Sequence, residues 1–356
     1  MLPVLEAVPN FSAGRDPALL KELVRAAEGA GTEVLDASAD ADHNRSVLTL
    51  VGTPGEIEEA AVRLASLAVE AIDLRAQEGV HPRVGALDVF PVVPLSGVTE
   101  ADATALARRI GRRFVEELSL PVFFYALASD PPGRGLGELR KGGFEALTRG
   151  EARRPDLVPR EGPGRGGIHP SAGVSCVGAR PLLLAWNVDV EGIDIAGLRE
   201  VARGLRETDG GHEGLRALGL ELERQGRMQL SMNLEDVRRR APFEVFRALE
   251  RTIEDRGGRI VRTEVIGMVP DELVLAAAAD RLLLDDPRSD RLLAGRILSH
   301  AGERALRAAM EVVRAAEGEE EALPARLREA LRELKLVCAG ARNDTGESPS
   351  SRGGSP

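Results

Sequence analysis

Residues 46–72 read SVLTLVGTPGEIEEAAVRLASLAVEAI, and the change of period inside this stretch sets the fold class. Ser46 to Val51 carries Val47 with alternating apolar neighbours, the spacing of a strand. Thr53-Pro54-Gly55-Glu56 is then a capping box with proline at the first helical position. It opens a helix carrying Ile57, Ala60, Ala61, Leu64, Leu67, Ala68, Ala71 and Ile72 along one stripe. A stripe of that length needs an apolar surface to cover it, and the neighbouring strands supply one as a sheet.

The same alternation extends outward in both directions. Leu2 to Val8 predicts a strand and Pro9-Asn10-Phe11-Ser12-Ala13-Gly14 a turn. Asp16 then caps a helix starting at Pro17, with Leu19, Leu20, Leu23, Val24 and Ala27 on one face and Gly29 and Gly31 ending it. Glu33 to Asp36 reads as a strand, followed by an acidic loop from Ser38 to Arg45. Downstream, Leu87 to Leu95 is a strand, Thr99 caps a helix through about Leu118, and Pro121 to Tyr125 is a strand. The order β-α-β-β-α-β-α-β is a ferredoxin-like alternation of the α+β class.

From Pro131 to Gly173 glycine, proline and arginine dominate without an apolar period, which predicts a linker or binding loop. Alternation then resumes with strands at Leu182 to Val190, Met228 to Leu234 and Ile260 to Met268, helices at Ile193 to Leu205 and Pro242 to Arg256, and a further helix opened by Pro270. The expected organisation is two ferredoxin-like (βαββαβ) α-β sandwich subdomains over residues 1–180 and 181–284, a helical extension over 285–340 and a disordered tail over 341–356. No second catalytic domain is expected after Leu284.

Apolar residues make up 43% and charged residues 29%, so a globular chain is expected, and aromatics at 3% leave its core to aliphatic side chains. The net charge of -10 and the dispersed arginines exclude a broad nucleic-acid footprint. Cys176 and Cys338 stand alone, which predicts neither a disulfide framework nor a metal site. The absence of a leader pattern and of a long uncharged apolar window predicts a cytoplasmic protein without a membrane span.

Three segments carry side chains suited to chemistry. Gly79-Val80-His81-Pro82-Arg83-Val84-Gly85-Ala86-Leu87-Asp88-Val89 holds a histidine against a proline with a cation two residues on, a setting for a proton shuttle or for a loop histidine bonded to a carbonyl. Asp36, Asp40, Asp42, His43, Asn44 and Arg45 lie between the early strands. The carboxylates suit an amine or an imidazole, Arg45 suits a carboxylate, and a solvated turn is the alternative. Gly162-Pro163-Gly164-Arg165-Gly166-Gly167-Ile168-His169-Pro170-Ser171-Ala172-Gly173, followed by Gly178-Ala179-Arg180, lets backbone approach a flat ring or an anion, or forms a flexible linker. Trp186 belongs in a core, whereas Tyr125 closes a strand where its polar tip can reach a cleft.

Together, Glu6-Ala7-Val8-Pro9-Asn10-Phe11-Ser12, His43-Asn44-Arg45, His81-Pro82-Arg83-Val84-Gly85-Ala86-Leu87-Asp88, Gly178-Ala179-Arg180 and Ala185-Trp186-Asn187 resemble the glutamate formimidoyltransferase family. This is the formiminotransferase portion of formimidoyltransferase-cyclodeaminase, and the resemblance covers roughly Leu5 to Leu284. It implies transfer of a formimidoyl group between N-formimidoyl-L-glutamate and tetrahydrofolate in histidine breakdown, with the folate as co-substrate, no metal, and a homodimer. It also implies that His81 is the catalytic acid/base, with Asp36 or Asp40 as its partner acid, and that Gly162 through Gly173, with Gly178 and Arg180, bind folate. His43, Asn44, Arg45, Arg83, Gly85, Asp88 and Tyr125 are then the residues expected at the substrate. A glutamate formyltransferase using 5-formyltetrahydrofolate and a folate-binding module without turnover are the alternatives.

Overall fold

Proline has no N–H to give a strand ladder, and at Pro9 the first strand divides into β1 (Val4–Ala7) and β2 (Asn10–Phe11). The structure is a computed structural model that describes residues 3–79, 82–222, 226–235, 237, 241–269 and 271–283, with isolated positions between 302 and 335. Val80, His81, Pro270 and the expected tail lie outside the described residues, as does most of the expected helical extension.

Asp16 starts α1 (Pro17–Glu28) by accepting the main-chain N–H groups of Ala18 and Leu19 at 2.9 and 3.1 Å. The strands β3 (Glu33–Asp40) and β4 (Arg45–Gly52) follow, then α2 (Pro54–Ala71), whose capping box forms as expected between Thr53 and Glu56. The acidic stretch expected as a loop from Ser38 to Arg45 is mostly strand. Only residues 41–44 turn, because Asp40 accepts the N–H groups of Asp42 and His43 at 2.8 and 2.7 Å and so closes the hairpin tightly.

After β5 (Leu87–Ser96), α3 (Glu100–Leu118) and β6 (Val122–Ala126), the stretch from Pro131 to Gly173 is not a linker. It contains α4 (Leu136–Leu139) and α5 (Gly143–Thr148), and buries Leu139 and Leu147 against Phe123, Val89 and Cys176. Helices of four and six residues are too short to display a period, so composition alone suggested a linker or binding loop. The short strand β7 (Ser175–Ala179), also absent from the expected elements, then completes the first sheet.

That sheet runs β3, β4, the β1 and β2 lane, β5, β7, β6, with β5, β7 and β6 parallel and the other pairs antiparallel. The three long helices α1, α2 and α3 cover one face, where Leu5, Leu48, Leu50, Ile57, Leu64, Phe90 and Phe114 are buried. The second sheet is built from β8 (Leu183–Glu191), β9 (Leu215–Leu222), β10 (Arg227–Glu235) and β11 (Arg259–Ile266), in the order β11, β8, β10, β9. Covering one face of it are α6 (Ile195–Leu205) and α7 (Pro242–Glu254), which pack around Trp186, Val188, Leu230 and Leu249.

The chain divides into two compact units, Val4–Val274 and a second that takes the N-terminal end together with the residues from Leu275 onward. The helix α8 (Asp271–Leu282) spans the division. Within the second unit, Val313 and Leu331 are buried together with Met310 and Leu334 against them.

Leu64 lies on the buried stripe of α2 and is fully enclosed. Leu64→Ala should lower unfolding free energy by about 2–5 kcal/mol, read from the denaturant midpoint. Thr53→Ala, which removes only the cap, should cost about 1 kcal/mol in the same measurement.

Candidate active site

Side chains alternate along a strand, so the residues between those of the helix-side core must face the other way. Leu5, Ala7, Phe11, Leu48 and Leu50 point to the helices, which sends Glu6, Asn10, Arg45, Val47 and Thr49 to the opposite face. Pairing extends this face across the sheet: Asn10 stands beside Val47 and Val89, Val89 beside Cys176, and Tyr125 beside Gly178.

One irregularity decides what β3 contributes. Val34 pairs with Leu50 and packs on the helix side, but the register slips by one residue before Asp36 pairs with Thr49, Ser38 with Val47 and Asp40 with Arg45. A slip of one residue exchanges the faces of everything after it, so Asp36, Ser38 and Asp40 line the polar side, half-buried. The sequence-derived candidates Asp36 and Asp40 therefore share a face with Arg45 and Tyr125. One oxygen of the Asp40 carboxylate also accepts both hydrogen bonds of the hairpin turn described above.

A cleft with room for about one water molecule lies at one end of this face, walled by Phe11, Ser12, His43, Asn44, Arg45, Gln77, Arg83 and Asp88. It brings together His43, Asn44, Arg45, Arg83 and Asp88 from two distant segments. At its floor, Asp88 is buried. One oxygen accepts the N–H groups of Val84 and Gly85 at 2.8 and 3.1 Å, and the other accepts Arg140 at 2.5 Å. Burial and the adjacent Arg140 bring Arg45 down to about 10, with Asp88 opposing the change, so Arg45 stays cationic at neutral pH. Gly85 has no room for a side chain: a Cβ there would lie 2.4 Å from the Val174 carbonyl oxygen. Gly79 packs against two of the lining residues, since a Cβ there would lie 2.5 Å from the His43 carbonyl oxygen and 3.0 Å from Asn44 Cβ.

Further along the face, Glu6 is buried, and burial raises its carboxyl above the ordinary range while the Arg180 guanidinium pulls the other way. Burial likewise pushes the Tyr125 hydroxyl up to about 12, so it remains a neutral donor. Gly178 is required beside it, because a Cβ there would meet the Tyr125 ring at 2.5 Å. Asn10 Oδ1 and Thr49 Oγ1 are buried on the same face with no hydrogen-bond partner among the described residues, although Asn10 donates to the Val8 carbonyl at 2.6 Å. Such atoms favour a ligand that donates hydrogen bonds.

The glycine-rich loop is only partly open. Gly164 and Gly173 pack against the chain itself, since Cβ atoms there would each lie 2.1 Å from a carbonyl oxygen, of Ser119 and of Val84. Ile168 joins the sheet-side core, and His169 is buried with its Nδ1 accepting the Ala172 N–H at 3.0 Å, which burial reinforces by lowering its pKa. Ser171 and Ala172 give their carbonyls to Leu74 and Ala86, while Gly162, Pro163, Arg165, Gly166 and Pro170 are exposed and Gly167 is buried.

Glu6, Asn10, Thr49 and Arg140 had no role in the sequence reading, yet they meet the candidate residues here. A charged side chain inside the apolar run Leu2 to Val8 is the signal that could have pointed to Glu6; Arg140 lay hidden in the expected linker or binding loop. Among the described residues no cluster of His, Cys, Asp or Glu could hold a metal, and no helix is long and apolar enough to cross a membrane.

A carboxyl that holds its proton more tightly folded than unfolded contributes stability below its unfolded value and loses it as pH rises through the folded one. Glu6 is such a group. Glu6→Gln should therefore raise the melting temperature more at about pH 8 than at about pH 5; equal shifts in both melts would refute the assignment.

Comparison with known proteins bears on the same segments. Residues 4–180 match the formiminotransferase domain, N-terminal subdomain, and residues 188–285 match the formiminotransferase domain. Glutamate formimidoyltransferase of Streptococcus pyogenes serotype M1 is 36% identical over 290 residues, covering 80% of this chain and 95% of that protein. The protein of the same name from Thermoplasma acidophilum is 33% identical over 291 residues, covering 80% and 94%. Formimidoyltransferase-cyclodeaminase of Sus scrofa is 34% identical over 311 residues, which are 83% of this chain but 57% of that longer protein. Matches of this extent, running through both sheets and the polar cleft, make the chain a member of the formiminotransferase family.

Proposed function

We propose that this chain is a glutamate formimidoyltransferase that moves the formimidoyl group of N-formimidoyl-L-glutamate to N5 of tetrahydrofolate on the polar face of the first sheet. The observation that supports it most directly is convergence: His43-Asn44-Arg45 and Arg83 to Asp88, far apart in sequence, wall one cleft beside the segment that carries His81. The near full-length match to relatives bearing that name supports the same reading. In this proposal residues 1–180 and 181–284 form two ferredoxin-like subdomains, and the enzyme works as a cytoplasmic homodimer.

In the reaction, the folate N5 attacks the amidine carbon and forms a tetrahedral adduct. The C–N bond to glutamate then breaks, and the proton lost by N5 is returned to the departing glutamate nitrogen. His81 accepts and returns that proton, a task suited to an imidazole near neutral pH. Asp36, half-buried on the polar face, orients the imidazole or balances the cationic amidine, and Asp40 does so only as far as its turn bonds allow. Arg45, cationic on the same face, suits a glutamate carboxylate. Asn10 Oδ1 and Thr49 Oγ1 supply acceptors for N–H groups of the ligands.

The folate loop in this reading acts through its exposed residues Gly162, Pro163, Arg165, Gly166 and Pro170, while its buried part, Gly164 included, anchors it. Tyr125 and Arg180 lie at the far end of the same face.

Incubation with tetrahydrofolate and N-formimidoyl-glutamate should change the folate ultraviolet spectrum and release glutamate. The same assay with 5-formyltetrahydrofolate as donor to glutamate should give the slower turnover; a reversal of that order would make the chain a formyltransferase. His81→Ala should lower kcat by about 100- to 10,000-fold with the fold intact, and near-full activity of that variant would remove the mechanism.

A further inference from the structure

The guanidinium of Arg83 is only 13% exposed and is fully used within the protein. Its Nε donates to the side-chain oxygen of Gln77, Nη2 donates to the main-chain oxygens of Gln77 and Leu74 at 2.8 and 3.3 Å, and Nη1 donates to the two carboxylate oxygens of Glu145 at 3.0 and 3.2 Å. Five N–H groups thus meet five acceptors, and an arginine has no more to give. The acceptors Leu74 and Gln77 precede His81 in the chain, and Arg83 follows it.

Asn44 makes the complementary connection. Its Nδ2 donates to the Glu78 carbonyl at 2.8 Å, its own carbonyl accepts Gln77 Nε2 at 3.1 Å, and its Oδ1 accepts the Gly14 N–H at 2.9 Å. Its backbone is left-handed, with φ of 47°, a conformation asparagine tolerates better than most residues. On the other side, Phe144 donates its N–H to the Arg83 carbonyl at 2.9 Å, and Asp88 holds Val84 and Gly85 as described above.

We propose that Arg83 and Asn44 are positioning residues that brace the chain on both sides of His81 and do not contact the glutamate substrate. The inference rests on the reaction proposed above. It removes Arg83 from the residues expected to grip a substrate carboxylate. A catalytic imidazole displaced by about 1 Å forfeits much of its advantage, so the brace acts on turnover rather than on affinity.

The variants are Arg83→Met, Arg83→Lys and Asn44→Gly, the last chosen because glycine accepts the left-handed backbone while losing both side-chain bonds. Each is expected to lower kcat by about 10- to 100-fold with KM for N-formimidoyl-glutamate within about twofold, Arg83→Lys being the mildest. Hydrogen exchange in residues 74–79 and 82–86 should accelerate in all three, with the melting temperature and exchange in α2 unchanged. A KM raised about tenfold or more at constant kcat would make Arg83 a substrate ligand and overturn the proposal, as would unaltered exchange beside His81. If the parent chain transfers no formimidoyl group, the proposed reaction fails, and the exchange experiment decides the brace by itself.

Discussion

A sheet whose long helices all lie on one side must present two chemically different surfaces, because neighbouring residues of each strand point in opposite directions. In the first sheet, α1, α2 and α3 take Leu5, Leu48, Leu50 and Phe90. Everything between those residues is thereby committed to the other side, where Glu6, Asn10, Arg45 and Thr49 stand in adjacent rows. The slip in β3 after Val34 adds Asp36, Ser38 and Asp40 to that surface. The candidate site is therefore a direct consequence of where the core lies.

Charges on such a surface are costly where they are enclosed, and Asp88 and Glu6 show that cost offset directly and only in part. Asp88 combines two main-chain N–H groups with Arg140, and Glu6 lies near Arg180. The second sheet repeats the arrangement: Asp189, buried on the side away from α6 and α7, accepts Gln229 and Arg227 at 3.0 Å each. Breaking one member of such a pair leaves a charge without compensation, which is why these groups are fixed more firmly than surface ion pairs. The rigid floor suits a reaction that depends on holding two substrates at a defined separation.

Legibility in the sequence followed the strength of local periodicity. The helices α2 and α3 were readable to within a residue, because each has a capping box and at least four turns of apolar stripe. The strand β9 was not, since Leu218, Leu220 and Leu222 on its open side blur the alternation with Leu215 and Ala217. Nor was β7, in which Ser175 to Ala179 are small and buried on both faces, so no alternation exists to be read. At the site, His43, Asn44, Arg45, Arg83 and Asp88 were identified by residue type and motif, whereas Glu6 entered only as part of a family motif without a role and Thr49 not at all. They sit on apolar-looking strands, and only their neighbours reveal their use.

The sequence by itself determined the α+β alternation, the position of the long helices, the family, and the segments that carry chemistry, since all of these are encoded in residues near one another along the chain. Only the tertiary structure decided that β3 changes faces at a register slip, that residues 131–173 fold over the sheet, and that Arg83 is already saturated by the chain around it. Those outcomes depend on hydrogen bonds and contacts between residues tens of positions apart, and the geometry that satisfies them exists only once the core has formed.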